Sequence, residues 1–282
     1  MPALPLRLPP APFDLDQARA CARLVGEAYL ATRQWEEADK PAPEAFAWEP
    51  PASLAHCEQA ALIWTRTKRG PIERERPVAL LVRAGETATL AFRGTENPAD
   101  LWVNVQVKQR DYAAPNCADF GPVHEGFMAR YLELRASLEA ELSALTGVRT
   151  LIVAGHSMGA AISTLAVPDL AKNFLDLDRQ QLVHYSFGSP AFARSFDALA
   201  GARAWTNAMS YRIVNTADAA VHVPPAIIER VLAEDPRYQH LGTPVSLSQN
   251  YGELGANHHH SRVYLYALEH PEDPHNAEWV RA

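Results

Sequence analysis

Apolar residues recur at Leu15, Ala18, Ala22, Val25 and Tyr29, three or four positions apart. That period predicts an amphipathic helix, with Asp14 as its cap. Over residues 35–55 the period is lost: Pro41, Pro43, Pro50 and Pro51 interrupt it, with Trp35, Phe46 and Trp48 interleaved. This stretch reads as a long packed loop anchored by its aromatics. Residues 60–65, 77–83 and 87–92 are compact apolar runs and predict three strands, the last two joined by a turn at Ala84-Gly85. Residues 98–108 form a short, ambiguous element. A helix is predicted over 123–145, with Phe127, Tyr131, Leu134, Leu138 and Leu142 on one face. Strands follow at 150–153, 182–187 and 211–214, separated by helices at 157–174 and 191–199. Strands alternating with helices predict an α/β fold, a mainly parallel central sheet with helices on both faces. Residues 1–13 are Pro-rich and read as an extended arm; residues 14–282, without repeat or linker, read as one domain.

Leu151-Ile152-Val153-Ala154-Gly155-His156-Ser157-Met158-Gly159-Ala160-Ala161-Ile162-Ser163 stands out chemically. An apolar run enters a Gly-x-Ser-x-Gly turn and a small-residue helix leaves it, the pattern of a nucleophile elbow. A serine hydroxyl is a weak nucleophile, so Ser157 needs a histidine base oriented by a carboxylate. In hydrolases built on such an elbow the acid precedes the histidine in the chain. Asp218 lies just past the strand at 211–214, where sites gather in sheets of this kind. Asp235 is the weaker rival, while Asp169 and Asp197 fall inside predicted helices and read as solvated surface carboxylates. For the base, His258-His259-His260 is the only cluster after Asp218 near a terminal helix. No HExxH spacing accompanies it, which disfavours a metal patch. An oxyanion hole needs two donors. Met158 N–H is one; Thr95, in the loop after residues 87–92, is the candidate for the other, although Arg93-Gly94-Thr95 alone is merely a polar turn.

Composition narrows the function classes. The net charge is −7 over 282 residues with no basic run, which excludes a nucleic-acid binder of the usual kind. No apolar stretch reaches transmembrane length. Met1 to Pro10 contains no uninterrupted apolar segment of the signal-peptide type, and Cys21, Cys57 and Cys117 form a sparse odd set without metal or redox spacing. A cytoplasmic protein is expected, with neither metal nor organic cofactor.

Several ordered blocks resemble one family. Phe92-Arg93-Gly94-Thr95 looks like an oxyanion block and Asp100-Leu101-Trp102-Val103-Asn104 like the segment after it; Val123-His124-Glu125-Gly126-Phe127 is similar to a His-x-Gly-Phe helix start. Gly155-His156-Ser157-Met158-Gly159-Ala160, Gly188-Ser189-Pro190, Arg212-Ile213-Val214-Asn215 through Asp218 to Pro224-Pro225, and Tyr238-Gln239-His240-Leu241-Gly242 complete the series. Together, over residues 60–268, they resemble the class 3 lipases, fungal-lipase-like α/β-hydrolases. The resemblance implies a triad of Ser157, Asp218 and a terminal histidine, oxyanion residues Thr95 and Met158, a lid over 96–110 and a strand at 238–242. Family members place a Tyr five and an apolar residue nine positions after the base. His259 gives Tyr264 and Leu268; His260, the rival, gives Leu265 and Glu269. His124 and His240 belong to family blocks and read as structural. Ala219 and Ala220 replace the usual Pro-Val, and the paired cysteines of secreted fungal members are missing. The implied activity is hydrolysis of acyl esters, glycerolipids foremost, with transient contact with lipid surfaces. Phospholipase A1, short-chain esterase and acyltransferase chemistry use the same triad, and a non-catalytic lipid-binding relative is the remote alternative.

Overall fold

The computed structural model describes residues 13–69, 72–95, 108–117, 120–190, 208–218, 240–249 and 259–273. The Pro-rich arm, except Phe13, therefore lies outside the described residues, as do the helix expected at 191–199, residues 96–107 of the expected lid, and Asp197, Asp235 and His258.

Helix α1 (Leu15–Glu37) starts where the apolar period starts, and the Asp14 side chain accepts the Gln17 N–H at 2.9 Å. Its buried stripe is rich in small residues (Ala18, Cys21, Ala22, Ala28, Ala31), which lets it lie close on the sheet. The helix runs further than expected, taking in Trp35, whose indole N–H donates to Pro41 O at 2.8 Å. Trp35 and Phe46 both meet Trp64 edge-on, so these aromatics do anchor the following loop.

In chain order the strands are β1 (Gln59–Arg69), β2 (Ile72–Ala84), β3 (Thr87–Phe92), β4 (Gln109–Asp111), β5 (Pro122–His124), β6 (Thr150–His156), β7 (Gln181–Phe187), β8 (Ala208–Asn215) and β9 (Thr243–Leu247). Among the described residues, seven of these form one sheet in the order β1-β2-β3-β6-β7-β8-β9. The first three are antiparallel, and β3, β6, β7, β8 and β9 run parallel. β1 and β2 outrun the apolar segments that predicted them. Arg66 and Glu75 lie opposite in the register and pair at 2.8 Å, so cross-strand charge replaces burial there. The strand expected at 238–242 is instead β9, which begins at Thr243; His240–Gly242 precede it.

Helix α2 (Glu125–Ser143) begins later than the period suggests, because Val123 and His124 are held in β5. His124 then caps it, Nδ1 accepting the Gly126 and Phe127 N–H groups. β4 pairs with β5, so residues 109 and 110 of the expected lid belong to a small hairpin sheet. Helix α3 (Met158–Asn173) is buried along nearly its whole length. With α2 it covers one face of the sheet, through Phe127, Tyr131, Leu134 and Leu165. α1 and helix α4 (Ser261–Glu269) cover the other, through Val25, Tyr264 and Leu268.

Asp169 corrects the surface reading given to it. Lying on α3, it is fully buried, and accepts from Tyr131 Oη, from Arg135 Nε at 2.7 Å and Nη2 at 3.1 Å, and from Asn173 Nδ2 at 2.6 Å. A helix buried from Gly159 to Ala171 has no solvated face along that stretch, so its carboxylate is matched by a guanidinium from α2.

His184, on β7, is fully buried between two hydroxyls, with Nδ1 2.9 Å from Ser210 Oγ and Nε2 3.0 Å from Ser163 Oγ. Ser163 Oγ donates its proton to Ala160 O, so Nε2–H is the donor to Ser163 and, in the neutral ring that burial favours, Nδ1 accepts from Ser210 Oγ. Burial lowers its pKa from the ordinary 6.5 to about 3. Below the ordinary value the unfolded chain binds this proton and the folded one does not, so its contribution to stability is lost as pH falls from 6.5 towards 3. At pH 5 the loss from this group is about 2 kcal/mol. Chemical unfolding at pH 7 and pH 5 should show that decline, and His184→Gln should show less of it; an equal decline in both would contradict the assignment.

Candidate active site

β6 ends against α3 at Ser157, whose backbone sits at φ 57° and ψ −124°. This strained conformation, which costs on the order of 1–3 kcal/mol, turns the chain sharply from strand to helix. The Ser157 N–H is tied to Phe187 O at 2.9 Å, so the elbow is fastened to the end of β7. The turn is also tight sideways. A Cβ on Gly159 would lie 2.4 Å from Arg93 O, so only glycine lets α3 pass the exit of β3.

Asp218 lies in the turn that follows β8. Asn215, the last residue of that strand, builds the turn: its Oδ1 accepts the Ala217 and Gln249 N–H groups, and its Nδ2 donates to Gln249 O at 3.1 Å. The ends of β8 and β9 are thereby locked together beneath the carboxylate. His259 sits just before α4.

The structure brings Ser157, His259 and Asp218 into one line. His259 Nε2 is 2.8 Å from Ser157 Oγ, and His259 Nδ1 is 2.7 Å from Asp218 Oδ2. All three side chains are fully buried. Asp218 Oδ2 accepts a second bond, from Tyr264 Oη at 2.6 Å. Burial, then the facing carboxylate, pushes the Tyr264 phenol well above its ordinary pKa, so it remains a donor. Such a line can take a proton from the serine and return it, with the aspartate holding the ring in one tautomer.

His260 goes elsewhere. It is exposed, occupies the cap position of α4 and makes no side-chain cap bond. Its pKa is lowered, first by partial burial and then by Arg262.

Near Ser157, the Thr95 hydroxyl donates to the Met158 sulfur at 3.7 Å. Met158 is the first residue of α3, so its N–H has no partner within the helix. Arg93 is buried, and its Nη1 donates to Gly94 O at 2.7 Å while Nε donates to Pro77 O at 3.3 Å. Because the Gly94–Thr95 peptide is planar and trans, pinning that carbonyl also fixes the direction of the Thr95 N–H. Arg93 is therefore more than part of a polar turn.

The family model of class 3 lipases matches residues 89–228, a span that contains Arg93-Gly94-Thr95, the elbow and Asp218. The chain belongs to the class 3 lipase family. A secreted mono- and diacylglycerol lipase of Fusarium solani is 27% identical over 135 residues, which span 47% of this chain and 38% of that protein. Lipase II of Rhizopus niveus has a similar structure, with TM-score 0.57 and 19% identity, covering 84% of this chain and 83% of its own. A triacylglycerol lipase whose catalytic centre is described as a serine protease triad gives TM-score 0.56 at 19% identity, covering 86% of this chain and 83% of its own. These neighbours are α/β-hydrolases, and this chain shares their fold.

One expectation about this family member is corrected. A cytoplasmic location was expected, but the Fusarium relative is a secreted enzyme, and that points away from the cytoplasm. Sparse cysteines were a poor guide for a physical reason. Cys21 and Cys117 are buried, and burial raises both thiols, Cys117 to about 11. A buried, protonated thiol is inert in oxidising and reducing surroundings alike.

Proposed function

We propose that this class 3 lipase is a serine carboxylic-ester hydrolase that cleaves acyl esters of glycerol. The observation that carries the reading is the buried, unbroken line Ser157–His259–Asp218, at 2.8 and 2.7 Å. Ser157 Oγ attacks the ester carbonyl carbon while His259 Nε2 takes its proton. The negative charge that develops on the carbonyl oxygen is held by the N–H groups of Thr95 and Met158. When the tetrahedral intermediate collapses, the ester C–O bond breaks and His259 gives the proton to the departing alcohol. Water, activated by the same histidine, then attacks the acyl-enzyme, releasing the carboxylic acid and restoring Ser157. Asp218 orients the ring and stabilises the transient imidazolium.

Glycerol esters are favoured over other acyl esters because both the Fusarium relative and the structural neighbour with a serine triad act on acylglycerols. Emulsified mono-, di- and triacylglycerols in a pH-stat should release fatty acid. Turnover confined to soluble short-chain esters would make the protein an esterase, and release from phospholipids alone a phospholipase A1.

Asp218→Asn should lower turnover by up to roughly 10⁴-fold with the fold intact, since an amide favours the wrong imidazole tautomer. Steady-state kinetics on a p-nitrophenyl ester measures this. Unchanged kcat in that variant would remove Asp218 from the mechanism.

A further inference from the structure

Behind the triad a second line of hydrogen bonds runs from the oxyanion segment to the main chain of the base. Gly94 N–H donates to Tyr29 Oη at 2.9 Å, Tyr29 Oη lies 2.9 Å from His156 Nδ1, and His156 Nε2 lies 2.8 Å from His259 O. The two ends determine every proton. A carbonyl only accepts, so His156 Nε2 carries hydrogen; an amide N–H only donates, so Tyr29 accepts it and gives its own proton to Nδ1. His156 is buried and neutral. Burial, then the neighbouring His259, holds its pKa well below the usual histidine range, so the line keeps one polarity.

We propose that Tyr29 and His156 are positioning residues that hold the Thr95 donor, Ser157 and His259 in register through this line. The inference rests on the triad reading given above. Gly94 is gripped on both of its peptide planes, by Tyr29 at the N–H and by Arg93 at the carbonyl. There is no slack around it: a Cβ there would lie 2.5 Å from Tyr29 Oη and 2.8 Å from Ser157 Cβ. His156, the residue before the nucleophile, carries the same constraint across to the backbone of the base. Helix α1, distant in sequence from the other parts, thus braces both sides of the serine. Misplacement of reacting groups by about 1 Å can cost on the order of 10²-fold in rate, which is the scale such a brace protects.

Tyr29→Phe keeps the ring and removes the hydroxyl. It should lower kcat ten- to a hundredfold, leave KM within about twofold, and slow fluorophosphonate labelling in proportion. When labelling is run to completion, the number of reactive sites should equal that of the parent. His156→Leu should show the same split. The double variant should be no slower than the worse single one, because a line broken once is already broken. Full kcat per labelled site, with only fewer sites or a lower Tm, would reduce Tyr29 to packing and overturn the inference, as would additive losses in the double variant. Ser157→Ala run alongside separates the two levels. Activity in Ser157→Ala would bring down the triad reading itself, whereas an inactive Ser157→Ala beside a fully active Tyr29→Phe would bring down the brace alone.

Discussion

Replacing Ser157 with Ala should leave a folded protein whose ester hydrolysis is lower by on the order of 10⁶-fold, as in other serine triads. The expected loss is this large because, among the described residues, no other hydroxyl is bonded to His259 Nε2, which lies 2.8 Å from Ser157 Oγ. The fold should tolerate the change well. Ser157 makes no side-chain cap bond to α3, and its backbone is held by the main-chain bond to Phe187 O. Alanine must still adopt φ 57°, a strain the serine already bears. Thermal unfolding of the variant should therefore stay near that of the parent while turnover vanishes. A variant with parental turnover would place the nucleophile elsewhere.

His259→Ala should be about as damaging as Ser157→Ala, because members of a triad act as a unit. The comparison with His260→Ala is what makes it informative. The two residues are adjacent, yet His259 is fully buried between the serine and the aspartate while His260 is exposed at the start of α4. His260→Ala should change kcat by less than about tenfold, or roughly 1.4 kcal/mol in barrier. If His260→Ala were dead and His259→Ala active, the base would shift by one residue and the mechanism would stand. Activity in both variants would overturn the triad.

The legible parts of the molecule share one property: their chemistry is local. The elbow is contiguous, and its two glycines, its serine and the small-residue helix each answer a steric demand within a few positions. The α1 period predicted its buried stripe for the same reason, as did the aliphatic cores of β3, β6 and β7. Asp218 needed one step more, the recognition that it follows a strand end. The three histidines carry no local distinction, and only the offsets to Tyr264 and Leu268 separate them. In the sequence Tyr264 is only a register mark, whereas in the structure it bonds to Asp218 itself.

What was illegible depends on tertiary distance. Tyr29 and His156 are 127 positions apart, and nothing in the helical period around Tyr29 marks its hydroxyl as different from any other. Asp169 was misread because a carboxylate in a helix is ordinarily solvated. Its burial follows from α3 being enclosed by the sheet and by α2, which no local period reveals. β9 was misplaced because the family block points to 238–242, while the pairing with β8 runs from Thr243 to Leu247.

Two roles decide the chemistry: Ser157 as the nucleophile and His259 as the group that activates it. Reaction of the protein with a fluorophosphonate, followed by digestion and mass spectrometry of the labelled peptide, tests both parts at once. A single adduct on Ser157 Oγ is expected, formed many orders of magnitude more slowly in His259→Ala. An adduct on another residue with Ser157 unmodified, or labelling of Ser157 at the parental rate in His259→Ala, would contradict it.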